Sequence, residues 1–120
     1  MKNILDMPKA ILFARVDKKE HQLYLDNRMM MLLRCANENG YYVMYASSSV
    51  TKVKDVEEKF LPFIANELIP TLAEEIRLLP PYPITIIVCF WNELVSNKRR
   101  PKFKEKLEKL NCKVIEIGNK

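Results

Sequence analysis

Two hydrophobic rhythms alternate along the chain. One is a short, continuous apolar run; the other is a longer stretch with apolar residues returning every three or four positions. Residues 10–16 (AILFARV) read as a buried strand that carries one arginine near its end. A polar turn, DKKEHQ, follows. Residues 23–39 then show helical spacing, with Leu25, Met29, Leu32, Leu33 and Ala36 on the apolar stripe. Gly40 stands where a left-handed helix cap belongs.

Residues 41–46 (YYVMYA) have the aromatic and β-branched content of a second strand, and 47–51 (SSSVT) read as a polar connection. A second helical pattern runs from 55 to 79, with Val56, Phe60, Phe63, Ile64, Leu68, Leu72 and Ile76 on one side. Pro62 and Pro70 inside it predict a break or kinks, and LPPYP at 79–83 is a stop. Residues 84–90 (ITIIVCF) form the most apolar run and predict the central strand. After a loop or helical start at 91–97 comes a charged helix, 100–110, with Phe103, Leu107 and Leu110 inward and Pro101 in its first turn. Residues 113–117 (KVIEI) alternate as a half-exposed edge strand does.

The order β-α-β-α-β-α-β predicts an α/β fold: a three-layer αβα sandwich around a mainly parallel four-stranded sheet with right-handed crossovers, one domain over residues 1–120. In such sheets ligands bind beyond the carboxyl ends of the strands. That rule selects residues 15–19, 46–50, 91–96 and the end of the chain as crevice positions.

Composition narrows the picture without redirecting it. The 120 residues are 48% hydrophobic and 29% charged, an ordinary globular balance. No apolar run approaches the ~20 residues that cross a bilayer, and MKNILDMPK lacks the pattern of a secretory signal. A cytoplasmic protein with no membrane association is expected. Cys35, Cys89 and Cys112, with the lone His21, have neither disulfide-framework nor zinc spacing, so they read as thiols in a reducing compartment. The net charge of +5 permits a polyanionic partner without requiring one.

The crevice positions exclude several chemistries. No glycine-rich loop follows a strand, so neither a dinucleotide fingerprint nor a P-loop is present, and no cofactor is expected. A single histidine on a polar turn gives no Ser-His-Asp or Cys-His arrangement. Arg15 at a buried strand end needs an anion or carbonyl partner. It can find an internal salt bridge to Asp17 or Glu93, or it can face a phosphate. Asp17 and Glu93, at neighbouring strand ends, have the residue type for a magnesium ion or simply belong to solvated loops. Lys98, Arg99, Arg100, Lys102 and Lys104 put five positive charges into seven residues at a helix start. That run suits DNA phosphates, or is a solvated face tempered by Glu105 and Glu108.

ILFARVDKKEHQ followed by LDNRMMMLLRCANENGYYV resembles the start of the serine recombinase (resolvase/invertase) catalytic domain. That family opens with a strand ending Ala-Arg-Val-Ser, then a polar turn, then a helix closing on Asn-Gly before strand two. Ala14, Arg15, Val16, Leu25, Asn27, Leu32, Ala36, Glu38, Asn39, Gly40 and Tyr41 match it, over the first third of the chain. The resemblance implies the resolvase-like fold, a link to DNA site-specific recombination, and a mobile-element setting. It also implies a serine nucleophile at the position that Asp17 occupies. An Asp-Arg-Leu-x-Arg motif is implied after strand three, where Asn92, Glu93, Leu94, Val95 and Ser96 stand. The family's Ser-Gly motif and Arg-Pro segment after strand two are also missing, and the 120 residues do not include its long dimerisation helix after strand four.

Of the family's phosphate-handling set only Arg15 remains. The expectation is a pseudoenzyme that binds a protein partner, a second copy of itself as a homodimer, or DNA weakly through surface charge. The alternative is a magnesium-dependent phosphoesterase, in the manner of Toprim-like nucleases, using Asp17 and Glu93.

Overall fold

The computed structural model of the chain describes residues 7–68, 70, 71, 74, 84–109 and 111–118. Among them, four strands form one all-parallel sheet: β1 (Lys9–Val16), β2 (Tyr42–Val50), β3 (Ile84–Val88) and β4 (Cys112–Glu116), in spatial order β2-β1-β3-β4. Helix α1 (Gln22–Glu38) joins β1 to β2. Residues 53–68 form the helical stretch α2, in which α-turns at Val53–Asp55 and Leu61–Phe63 alternate with wider π-turns at Val56–Phe60 and Ile64–Leu68. Helix α3 (Arg100–Lys109) leads into β4.

The inner strands β1 and β3 are buried from end to end, which is why both read as continuous apolar runs. Their two-residue period divides the core. Ala10, Leu12, Ala14, Val16 and Ile87 meet Leu25, Leu32 and Ala36 of α1 on one face. Ile11, Phe13, Ile84, Ile86 and Val88 meet Val56, Ile64 and Leu68 of α2, with Phe103 and Leu107 of α3, on the other. The result is the expected αβα sandwich, with one helix on one face and two on the other. The edge position of β4 also stands as expected, and β2 forms the opposite edge.

Gly40 closes α1 as its position predicts. Its φ is 73°, and the Tyr41 N–H donates to the Ala36 carbonyl at 2.9 Å, satisfying a carbonyl of the last turn. Pro62 does not end its helix. It sits in the short α-turn between two π-turns, and the wider turns relieve the clash that its ring makes with the carbonyl four residues back.

Two expectations need correction. SSSVT is not a connection: β2 runs to Val50, with Ser47, Ser48 and Ser49 paired to Phe13, Ala14 and Arg15. The long buried strand β1 supplies the hydrogen-bonding template, and an edge strand tolerates hydroxyl side chains. Leu33 does not face the core. It is 45% exposed beside the fully buried Leu32, because the α1 stripe is only wide enough for Leu25, Leu32 and Ala36. Leu72, Ile76, the LPPYP stop and Leu110 lie outside the described residues, as does most of the N-terminal segment.

Candidate functional site

The carboxyl ends of β1, β2 and β3 converge on one side chain. Arg15, the penultimate residue of β1, has a side chain only 8% exposed. Its Nε–H donates to the Glu93 carbonyl at 2.8 Å, Nη1 to the Thr51 carbonyl at 2.9 Å, and Nη2 to the Asn92 carbonyl at 3.0 Å. Nη1 also forms an ion pair with the Asp17 carboxylate. A planar guanidinium presents donors in several fixed directions, so one arginine ties the end of β1 to the residue after β2 and to the 3₁₀ turn Trp91–Glu93 after β3.

Glu93 completes the knot. Its side chain is 3% exposed. Oε1 accepts the Arg15 backbone N–H at 2.9 Å and Arg28 Nη1 at 3.3 Å, while Oε2 accepts the Phe90 N–H at 2.9 Å. Arg28, reaching in from α1, also donates to the Arg15 carbonyl at 2.9 Å. Arg15, Asp17, His21, Arg28, Asn92 and Glu93 line a small polar cleft of about 240 Å³.

The crevice rule therefore brings Arg15, Asp17, Asn92 and Glu93 together, with Arg15 held by internal partners that include Asp17. The arrangement turns against the magnesium alternative. Both oxygens of Glu93 are spent on N–H donors inside the protein. Among the described residues no group of three or more His, Cys, Asp or Glu gathers where an ion could be held. Asp17, with its side chain 66% exposed, is left without a second carboxylate beside it that is open to a cation.

The basic run follows in the chain. Parallel topology starts α3 at the same end of the sheet where β3 finishes, and Lys98, Arg99, Arg100, Lys102 and Lys104 are all exposed there. Two of the five cations already have partners in the protein. Arg99 donates to Glu57 Oε2 at 3.0 Å, whose other oxygen accepts the Ser96 N–H at 2.7 Å. The Arg100 guanidinium lies over the Trp91 ring at 4.4 Å. Lys98, Lys102 and Lys104 extend the charge into solvent.

Arg28, Thr51 and Glu57 escape a reading of the sequence. Arg28 had a signal: it lies three residues after Leu25 and four before Leu32, a cation on the edge of a buried stripe. Thr51 acts through its backbone carbonyl, which no side-chain pattern reveals. Cys89 and Cys112 are buried and Cys35 is half-buried. Burial pushes both buried thiols up to about 11, and the nearby Glu93 charge adds to the rise at Cys89.

Sheet order and helix placement together define an αβα sandwich around an all-parallel four-stranded sheet, the resolvase-like fold. Among solved structures, the chain is similar to the C-terminal catalytic domain of ISC1926 TnpA, an IS607-like serine recombinase. The TM-score is 0.66 at 14% sequence identity, covering 93% of this chain and 71% of that one. The likeness bears out the resolvase-like fold that the Ala14 to Tyr41 match implied. No protein-family model matches the chain, and no curated protein matches it. No helix among the described residues is long and apolar enough to cross a membrane.

Proposed function

We propose that this chain is a resolvase-like domain without strand-exchange activity, which works by binding and holds DNA weakly through Lys98, Lys102 and Lys104. The observation that carries this reading is the commitment of Arg15. Its donors are engaged by three backbone carbonyls and by Asp17, which stands at the nucleophile position that the resemblance implies. A carboxylate there repels a phosphodiester, and Asn92, Glu93 and Ser96 provide no guanidinium clamp for transition-state charge. A recombination setting, suggested by the solved neighbour, belongs to the same proposal.

Incubation with supercoiled DNA tests the loss of activity. Neither the wild type nor Asp17→Ser should form a covalent protein–DNA adduct on a denaturing gel, and an adduct from either overturns this half of the reading. Fluorescence anisotropy with a labelled duplex tests the binding. With about three cations engaged, raising salt from about 50 to 200 mM should weaken affinity by about 40-fold. The triple variant Lys98→Gln, Lys102→Gln, Lys104→Gln leaves the Arg99–Glu57 and Arg100–Trp91 contacts intact and should lose that dependence. Equal binding by the triple variant, or no binding by wild type at low salt, rejects the DNA interface.

A further inference from the structure

The row of side chains that β2 turns toward α2 changes character along its length. Strand residues alternate between the two sheet faces, so Tyr45, Ser47 and Ser49 share the α2 side and are half-buried. Ala46, Ser48 and Val50, on the other side, are exposed. Beneath β1 and β3 the α2 face is filled by Ile11, Phe13, Ile86 and Val88. Beneath β2 the side chains shrink to serines, opposite two phenylalanines of the helical stretch. The mismatch leaves an open cavity of about 450 Å³, within the size range of small-molecule sites.

Its walls are of two kinds. Phe60 and Phe63 line it from α2, and each pairs with a ring of the sheet: Phe60 with Phe13 at 4.5 Å between centroids, Phe63 with Tyr45 at 5.9 Å. Phe60 closes the first π-turn and Phe63 precedes the second, a local geometry that recurs at functional sites. From the strand side, Ser47, Ser49 and Thr51 contribute a hydroxyl at every second residue. Thr51 Oγ1 donates to Asp55 Oδ2 at 3.0 Å, whereas the Ser47 and Ser49 hydroxyls have no partner among the described residues. Asp55 and Lys59, exposed and four residues apart, add one charge of each sign to the lining.

We propose that this cavity binds a nucleobase, carried either by a free nucleoside or nucleotide or by a single DNA strand. A base has flat apolar faces and an edge of mixed donors and acceptors. Aromatic rings are the usual platform for such faces. A hydroxyl donates or accepts by rotating, so Ser47 and Ser49 can serve either kind of edge group. A purely aliphatic ligand would strip these hydroxyls of water and return nothing, and a bare phosphate or sugar would gain nothing from four rings. The second oxygen of Asp55 suits a ribose hydroxyl, and Lys59 suits a phosphate. Holding a ligand by its base needs no glycine-rich phosphate loop, which this sequence lacks. Of the Arg15 knot the cavity includes only Thr51, whose carbonyl, not its hydroxyl, serves the arginine. It shares no residue with Lys98 to Lys104, so its test is separate from that of charge-driven DNA binding.

An amide-resolved NMR titration of the full chain reads both affinity and place. Adenosine should shift residues 45–51 and 55–63 saturably, with a Kd of about 0.1 mM for a ligand of its size. Ribose 5-phosphate, which lacks the base, should shift neither segment at about 5 mM. Ser49→Leu fills the cavity from the strand, and Phe63→Ala removes a platform ring. Each should weaken adenosine by about 10-fold or more, with thermal melting to show that the variant is folded. Lys59→Gln should cost adenosine monophosphate about fivefold. A single-stranded deoxyadenosine hexamer, titrated at about 200 mM salt, separates the two sources of the base. Affinity per base about 10-fold above the mononucleotide, with the same shifts, assigns the cavity to a DNA strand, and no gain assigns it to a free nucleotide. No saturable shift with adenosine overturns the proposal, as does an equal response to ribose 5-phosphate. So does unchanged adenosine binding by folded Ser49→Leu and Phe63→Ala.

Discussion

Arg15 acts here as a structural tie, and its substitutions separate that role from a phosphate-binding one. Arg15→Ala leaves the carbonyls of Thr51, Asn92 and Glu93 short of a donor and should cost about 3 kcal/mol in urea denaturation. Arg15→Lys should recover little of this, because an ammonium cannot spread donors to three carbonyls. Asp17→Asn should cost less than about 1 kcal/mol, since its side chain is 66% exposed and water screens the pair. A stable Arg15→Ala protein would mean that the site is not built around this side chain. Glu93→Gln should cost about 2 kcal/mol, because its new NH₂ group faces donors where an acceptor is needed. The sequence made the need for a partner at Arg15 legible, because a buried cation cannot stand alone. It did not reveal the identity of those partners. Three of them are backbone oxygens, brought together by turns that lie far apart in the chain.

At the scale of elements, α1 and β2 show where pattern reading succeeds and where it fails. The position and length of α1 follow from its three- and four-residue spacing and its Gly40 stop. The assignment of Leu33 fails because adjacent leucines differ by 100° around the axis, and a run of five apolar residues from Met29 to Leu33 masks which side is buried. Leu32→Ala should destabilise by about 2–5 kcal/mol, and Leu33→Ala, measured at low concentration, by less than about 0.5. Equal costs would show the helix rotated from its described orientation. The end of β2 was hidden for another reason: Ser47 to Ser49 have weak strand preference, and only the neighbouring β1 ladder holds them extended.

Over the whole molecule, the succession of four strands and their intervening helices was legible because most elements carry a clean apolar pattern and a recognisable stop, the end of β2 being the exception. The buried thiols give the assembled core a pH signature. Cys89 and Cys112 titrate near 11 when folded, against 9.0 for an ordinary thiol. Their contribution is intact below about pH 9 and is lost as pH climbs toward 11, because only the unfolded chain ionises over that interval. Each thiol should steepen the fall in stability by up to about 1.4 kcal/mol per pH unit, and Cys89→Ala with Cys112→Ala should remove that increment from urea midpoints measured between pH 8 and 11. The Arg15 tie has a further consequence, for time rather than equilibrium. Its contacts close chain separations of 36, 77 and 78 residues, so they can form only after the three strand ends have met. In stopped-flow experiments Arg15→Ala should therefore leave the refolding rate within about twofold while speeding unfolding by about 100-fold, marking this knot as the last part of the domain to set and the first to let go.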